Sequence, residues 1–463
     1  MSSLLKDSQS PFLTTPEDLM DYFEKGIKPS SFLRVGLEHE KFVFQSSTLK
    51  RLPYPTKNGL SALLKDLISV GWEGIFENSA LIGLKKEDSF ITLEPGGQLE
   101  FSSSPHLNIF DLKKQHQRYL SDLLSLTQQK DLLLLGLGFD PLSTFEEIPW
   151  IPKERYDFMR TYMPQKGTLG LDMMTRTASF QVNLDYTSED DMCQKFQIGL
   201  ALQPLISSLF ASSILKERQL LPFQSYRSYV WQHTDPDRTG GLEFVFEPNM
   251  GFERYITYLL DVPLYFVYRE NKYIPAFSQT FRDFLKGNLK ILPGQFPTLK
   301  DWELHISTVF PDVRLKPYLE LRGADSGPSD VGYALSAFWV GLFYDPQSLL
   351  QIKKIIDTLS LEERTFLRQE TPKTGIHTPF RGKPLKYLLM SCLEVAQAGL
   401  NRRHLSQQTE QNERCFLDPL FKILDRNESL SDTISKAWRS LPSVNAQDDF
   451  IRSLGYNTAP LLK

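Results

Sequence analysis

Cysteine is scarce in this chain of 463 residues: Cys193, Cys392 and Cys415 lie far apart, are odd in number and form no CxxC pair. That excludes a disulfide scaffold and a thiolate zinc site, and it makes a reducing cytoplasm the expected setting. Long apolar runs are missing too. The longest, Tyr333 to Tyr344 around Ser336, falls well short of the roughly 20 residues a membrane-spanning helix needs. No charge of one sign dominates: 52 Lys and Arg stand against 56 Asp and Glu, a net charge of -4, without the basic surplus of a nucleic-acid protein. The opening MSSLLKDSQS has no basic flank followed by an apolar stretch, so no secretion signal is expected. Internal repeats, low-complexity tracts and linkers rich in Gly, Ser or Pro are also absent. What the chain does have is core material, 41% hydrophobic with 12% aromatic, which rules out wholesale disorder.

Several familiar motifs are lacking. There is no GxxxxGK[ST], so no P-loop holds a nucleotide, and no GxSxG or HExxH, which lowers the odds for hydrolases of those types. Gly136 and Gly138 in GLGFDP lack a third glycine and a following helix, a poor dinucleotide fingerprint. The seven histidines show no ligand spacing.

The periodicity predicts a helix in TTPEDLMDYFEKG, with Thr15 as cap and Pro16 in the first turn, then a strand over 32–46 and a helix in NGLSALLKDLISVG. Residues 72–103, broken by ENS, KKED and PGGQ, read as an antiparallel meander. A helix over 106–130, a buried strand in LLLLGLGF, a strand in TASFQVNLDY and a long helix from Glu189 follow. Further strands are expected near 242–247, 263–269 and 317–322, and helices near 278–286 and 298–310; after Pro346 the chain is almost all helical. Strands and helices do not alternate regularly, so the expected class is α+β rather than a doubly wound parallel sheet. Residues 1–345 would form a sheet-based body and 346–463 a helical portion packed on it.

The informative residues are polar side chains at i, i+2 spacing within strands, because such side chains leave one face. Glu38 and Glu40 project together, with His39 and Lys41 opposite. Two carboxylates on one face repel and are costly to desolvate, unless a hard cation such as Mg²⁺ is shared between them. Alone, the pair would read as a solvated edge. The pattern recurs, however: Glu94 precedes a Pro-Gly-Gly turn and Gln98 with Glu100 follow it; Gln181, Asn183 and Asp185 share a face; so do Glu320 and Arg322. Four strands with one apolar and one acid–amide face could build a polar concave surface for a metal and phosphate. Arg155, Arg160, Arg176, Arg227, Arg238 and Arg322 are candidates for anion binding.

The segments VGLEHEKF, ITLEPGGQLEFSSSP, RYDFMRTYMP, LGLDMMTRTASFQVNLDY, ALQPLISSLFA, YRSYVWQHTDPDRTG, FRDFLKG, DWELHISTVFP and YLELRGAD resemble, in order, the plant and proteobacterial type of glutamate–cysteine ligase; TPFR and AGLNRR extend the match loosely. The resemblance implies a curved antiparallel sheet forming a cup, as in the glutamine-synthetase-like carboxylate–amine ligases. It implies that ATP phosphorylates the γ-carboxylate of glutamate and the cysteine amine displaces phosphate, the first step of glutathione synthesis. By matched motif, Glu38, Glu40, Glu94, Glu100, Glu320 and Asn183 would surround Mg²⁺, and Arg322 and Arg176 would act on the phosphoryl group. Arg155, Arg160, Arg227 and Gln181 would hold the amino-acid substrates, and Arg238 and Gln98 the nucleotide. The implied partners are glutamate, cysteine and ATP, with no nucleic acid and no membrane, in a monomer or weak homodimer. The chain departs from the plant pattern at Lys113 with Tyr333 and at Ala276 with Ile291, where those enzymes pair cysteines, and at Ser329, Asp330 and Val331, where the family carries Trp-Arg-Arg. A ligase of the same fold with another amine, or feeding another thiol pathway, and a non-catalytic relative remain as alternatives.

Overall fold

A computed structural model describes residues 12–407 and 411–456. Its centre is one open, antiparallel sheet of nine strands: β1 (Val35–Gln45), β2 (Glu73–Glu77), β3 (Ala80–Lys86), β4 (Ser89–Leu93), β5 (Leu99–Ser102), β6 (Leu132–Leu135), β7 (Ser179–Leu184), β8 (Val313–Leu315) and β9 (Leu319–Asp325). The order is β8–β9–β7–β1–β5–β4–β3–β2, with β6 paired to the far half of β1. The expected meander over 72–103 is β2 to β5, and the α+β class stands.

The period-2 alternation dictates where this sheet buries itself. Val35 and Leu37 of β1, Phe180, Val182 and Leu184 of β7, and Leu319 and Leu321 of β9 are all buried in one apolar cluster. Their partners come from helix α2 (Glu189–Leu209), whose Ile198, Leu202, Leu205 and Leu209 lie in the same cluster. Burying a large aliphatic or aromatic side chain contributes about 1.5–3 kcal/mol each, so this face fixes the strand register against a one-residue slip. The other helices that bear on the site are α1 (Ile109–Gln129), α3 (Tyr226–Gln232), α4 (Ser329–Phe343), α5 (Leu361–Thr374), α6 (Lys386–Gln407) and α7 (Val444–Ser453). Side chains cap several of them, Asn108 on α1, Ser188 on α2 and Ser360 on α5. Leu389, Leu393 and Leu400 of α6 join Leu335, Phe338 and Leu342 of α4 in the same cluster. No helix among the described residues is long and apolar enough to cross a membrane.

Two local expectations differ. The segment near 242–247 is a 3-10 turn, Glu243–Phe246, not a strand: Leu242 and Val245, three residues apart, are buried in the core, a spacing that suits a helical turn and not a period of 2. Thr15 does not cap the first helix (Glu17–Glu24); the Asp18 carboxylate accepts from the Thr14 and Thr15 amides instead, at 2.8 and 3.0 Å, being the stronger acceptor.

His305 is buried against the Phe281 ring and donates from Nε2 to the Leu259 carbonyl at 2.7 Å. Burial pushes its pKa down to about 4. Above the unfolded value of about 6.5 both states are neutral; below it the unfolded chain protonates first, so stability is lost as pH falls. His305→Gln keeps an amide donor and should shrink the loss of stability between pH 7 and pH 5 by about 2 kcal/mol, read from urea unfolding. Of the cysteines, Cys392 is buried, Cys193 is half-buried and Cys415 is exposed, and burial pushes the first two thiols up to about 12. Lys113 lies with its ammonium 5.5 Å from the Tyr333 ring centre. Mild oxidant should therefore leave both activity and mobility on a non-reducing gel unchanged.

Candidate active site

On β1 the apolar alternation ends in an acidic one. Glu38 and Glu40 are half-buried on the face away from α2, while His39 and Lys41 between and beyond them are fully buried on the other side. Antiparallel register then brings polar partners alongside. Glu40 stands opposite Glu100 on β5, Glu38 opposite Gln181 on β7, and Asn183 opposite Glu320 on β9. Hydrogen bonds stitch the row together: Asn183 Nδ2 donates to Glu38 at 2.9 Å, and Gln181 Nε2 and the Ser179 amide donate to Glu40 at 3.1 and 2.7 Å. Arg322 donates to both Gln181 Oε1, at 2.5 Å, and Glu320, at 2.9 Å. Glu100 accepts from the hydroxyls of Thr92 and Ser102 at 3.0 Å each. Glu94 is set by the Pro-Gly-Gly turn, where the Gly97 amide donates to the Glu94 carbonyl and Gly97 has a φ of 77° that suits glycine.

The carboxylates fall into two electrostatic classes. Burial first, then Glu100 and Glu94, push the Glu40 carboxyl up to about 8, against the opposing pull of Arg227 and Arg322. Glu38 and Glu100 are raised for the same reasons, burial ahead of repulsion by neighbouring glutamates. Glu320 is the reverse. Burial alone would raise it, but Arg314, Lys316 and Arg322 hold it well below the ordinary carboxylate range. Arg314 grips both of its oxygens, at 2.6 and 2.9 Å, and Lys316 reaches one at 2.8 Å. Glu320, expected beside the metal, is thus compensated by three cations and anchors Arg322. Among the described residues no three His, Cys, Asp or Glu side chains converge closely enough to enclose a metal by themselves. The Asn183 Oδ1 beside Glu38 is buried without a hydrogen-bond partner. Under-compensated carboxylates plus an orphaned amide oxygen form a hard-oxygen donor set that fits a divalent cation sharing its shell with phosphate oxygens.

Beyond Arg322 the face continues into a cleft between β9, α2, α3 and α5. Arg227 of α3 donates to the Arg322 carbonyl at 2.8 Å, and the Trp231 ring lies 5.9 and 5.6 Å from the two guanidinium carbons. Gln203, Asp312, Arg368 and Thr371 complete the lining. Five buried polar atoms here lack a hydrogen-bond partner: both ends of the Gln203 amide, Arg227 Nε, Trp231 Nε1 and Thr371 Oγ1. Each such atom costs about 1–3 kcal/mol, so their gathering round one cleft marks a place for a polar ligand. Sequence reading missed Gln203, Trp231, Arg368 and Thr371. The one available signal was the polar Gln203 before Pro204 within the apolar stretch 198–206 of its helix. It also missed Lys153, which donates to the Leu93 carbonyl at 2.7 Å and lies in the field of Glu94 and Glu100.

Other candidates are placed elsewhere. Arg238 is fully buried, donates to Asp235 and to the Thr308 and Pro263 carbonyls, and lies 3.8 Å from the Tyr265 ring centre, so it offers no nitrogen to a nucleotide. Arg176 donates to Asp172 and Glu217, at 2.7 and 2.8 Å, and to the Ser143 carbonyl. Gln98 is buried and donates from Nε2 to the Met174 and Thr177 carbonyls, while its Oε1 has no hydrogen-bond partner. Arg160 is exposed over the Trp150 ring, and half-buried Arg155 lies in the field of Glu77 and beside Lys153, which itself feels Glu94 and Glu100. Arg176 and Arg238 thus each have carboxylate partners within the structure itself.

Residues 34–449 match the model of the glutamate-cysteine ligase family 2. The chloroplastic glutamate–cysteine ligase of Arabidopsis thaliana is 47% identical over 390 residues, covering 84% of this chain and 74% of that protein. Its counterpart in Nicotiana tabacum is 43% identical over 417 residues, covering 89% and 79%. In three dimensions the chain is similar to a glutamate–cysteine ligase of Francisella tularensis in complex with AMP, at a TM-score of 0.53 and 14% identity, covering 91% of this chain and 87% of that one, a likeness of fold. The plant names overturn the expectation of a cytoplasmic setting, because these relatives are chloroplastic. Scattered thiols report a reducing environment and do not distinguish compartments that share one. The chain belongs to the glutamate–cysteine ligase family 2.

Proposed function

We propose that this protein joins the γ-carboxylate of glutamate to the amine of cysteine at the expense of ATP, through γ-glutamyl phosphate. A γ-carboxylate oxygen attacks the terminal phosphorus and ADP leaves; the amine nitrogen then attacks the acyl carbon, and phosphate and a proton depart. The observation that carries this reading is the adjacency, on one sheet face, of under-compensated carboxylates and an arginine pair that opens into a polar cleft. Glu38, Glu40, Glu94, Glu100 and the Asn183 amide oxygen would hold Mg²⁺. When bound, the metal would neutralise phosphate charge as the phosphoryl group moves.

The chain's own groups supply position and field. Glu320, gripped by Arg314 and Lys316, holds Arg322 in place, and Gln181 links that guanidinium to Glu40. Arg322 can thus face the negative charge that develops on the acyl phosphate without moving, the condition for electrostatic preorganisation. The cleft behind it, with Arg227, Arg368, Asp312 and the unpartnered groups of Gln203, Trp231 and Thr371, suits a zwitterionic amino acid, since it offers both donors and acceptors.

Phosphate release from ATP, assayed with glutamate and a panel of amines, tests the reading. We expect slow release that requires glutamate and Mg²⁺ and accelerates with cysteine. Release indifferent to glutamate would remove the acyl phosphate, and a faster response to another amine would select the same-fold alternative. Glu38→Gln and Glu40→Gln should each lower turnover by about a hundredfold or more while the melting temperature stays near that of the parent. Near-normal turnover in either variant would mean that these carboxylates do not hold the metal.

A further inference from the structure

Behind the acidic face, on the buried side of β1, lies a polar chain that the reaction as described does not use. His39 sits between Glu38 and Glu40 in sequence and points the other way, with no exposure. Its Nδ1 meets His116 Nε2 of α1 at 3.1 Å, and its Nε2 meets the Tyr456 hydroxyl, just beyond α7, at 2.9 Å. His116 Nδ1 in turn meets the Tyr333 hydroxyl of α4 at 2.8 Å. The Tyr456 hydroxyl also contacts the Gly327 carbonyl.

Proton counting gives this chain one direction. The Gly327 carbonyl can only accept, so it takes the single phenol proton of Tyr456. The Tyr456 oxygen must then accept from His39 Nε2–H. With one proton on each ring, the bare His39 Nδ1 accepts from His116 Nε2–H, and the bare His116 Nδ1 accepts from Tyr333. Every member is satisfied, and serial hydrogen bonds polarise one another in the same sense.

The far end of the chain matters because of what Gly327 belongs to. Residues 326–328 join β9, which carries Glu320 and Arg322, to α4. The Ser326 hydroxyl donates to the main-chain carbonyl of Glu40 at 2.6 Å. The loop therefore spans the gap between β1 and β9, which are not neighbours in the sheet. Gly136 makes room for the contact: a Cβ there would lie 2.8 Å from the Gly327 carbonyl oxygen and 3.0 Å from the Tyr456 ring.

We propose that Tyr456 is a positioning residue whose hydroxyl, at the end of the Tyr333–His116–His39 chain, clamps the 326–328 loop and so sets the spacing between Glu40 and Arg322. The kinetic part rests on the ligase reading; the hydrogen-bond part does not. Tyr456→Phe keeps the ring and deletes only the hydroxyl. Gly136→Ala deletes no hydrogen-bonding group but wedges the loop from Tyr456.

On the full chain with ¹⁵N-labelled histidine, NMR should find the ring proton of His39 and of His116 on Nε2. In both variants the His39 signal should shift and its Nε2 proton exchange faster, while His305 stays unchanged. In the ligation assay both variants should lose about tenfold or more in kcat, with KM for glutamate and ATP changed less than about twofold, as expected when transition-state geometry alone is disturbed. A proton on Nδ1 of His39 or His116 in the parent would overturn the chain. An unchanged kcat in both variants, with only a lower melting temperature, would reduce Tyr456 to a stabilising contact. A parent without ligase activity but with the expected tautomers would leave the clamp standing and sink the ligase reading instead.

Discussion

Concentrating carboxylates on a half-buried sheet face is unfavourable in itself, and much of the surrounding structure exists to manage it. Desolvation raises Glu38, Glu40 and Glu100, and their mutual repulsion adds to it. The fold meets this cost in two ways. Around Glu320 it supplies three cations and makes the charge permanent. Around Glu40 the direct hydrogen bonds come from the amides of Ser179 and Gln181, and the pull of Arg227 and Arg322 does not offset burial and repulsion. That inequality separates the part of the face that holds itself together from the part that can hold a ligand.

The inequality depends on rigidity, because an ill-placed arginine would drift to the nearest free carboxylate. Arg322 is kept from doing so by sharing its nitrogen between Gln181 and Glu320 and by giving up its carbonyl to Arg227. The β-bulge between Leu321 and Ala324 lies at that point, where the ladder to β7 is interrupted and the strand turns toward the cleft. The same residues that close the acidic row thus open the amino-acid cleft, and α2 and α5 contribute groups that lie far away in sequence.

What surrounds an arginine is the least legible part of the chain, and the contrast between Arg322 and Arg176 shows why. Both sit beside strands that carry polar faces. Arg176 lies at the C-terminal end of its helix one turn after Asp172, and Glu217 meets it from a separate hairpin, so its charge is spent. Arg238 is buried on Asp235 three residues earlier, a pairing visible in the sequence but not its complete enclosure. Glu320 looked like its fellow glutamates because the i, i+2 pattern records side and not surroundings. Arg314, across the ladder from it, and Lys316, just beyond that strand, set its charge compensation.

Alternation by itself determined which residues share a face: Glu38 with Glu40, Gln181 with Asn183, Glu320 with Arg322, and His39 with Lys41 behind them. It also determined the meander over 72–103 and the α+β class, because a period of 2 and turn residues are local properties. Pairing order, cross-strand register and the approach of distant helices are not local. Only the tertiary structure decided that Glu40 faces Glu100, that Gln203 and Thr371 meet Arg227 in one cleft, and that Tyr456 reaches His39. The physical reason is that compensation of a buried charge depends on the few ångströms around it, and the chain brings those neighbours from hundreds of residues away.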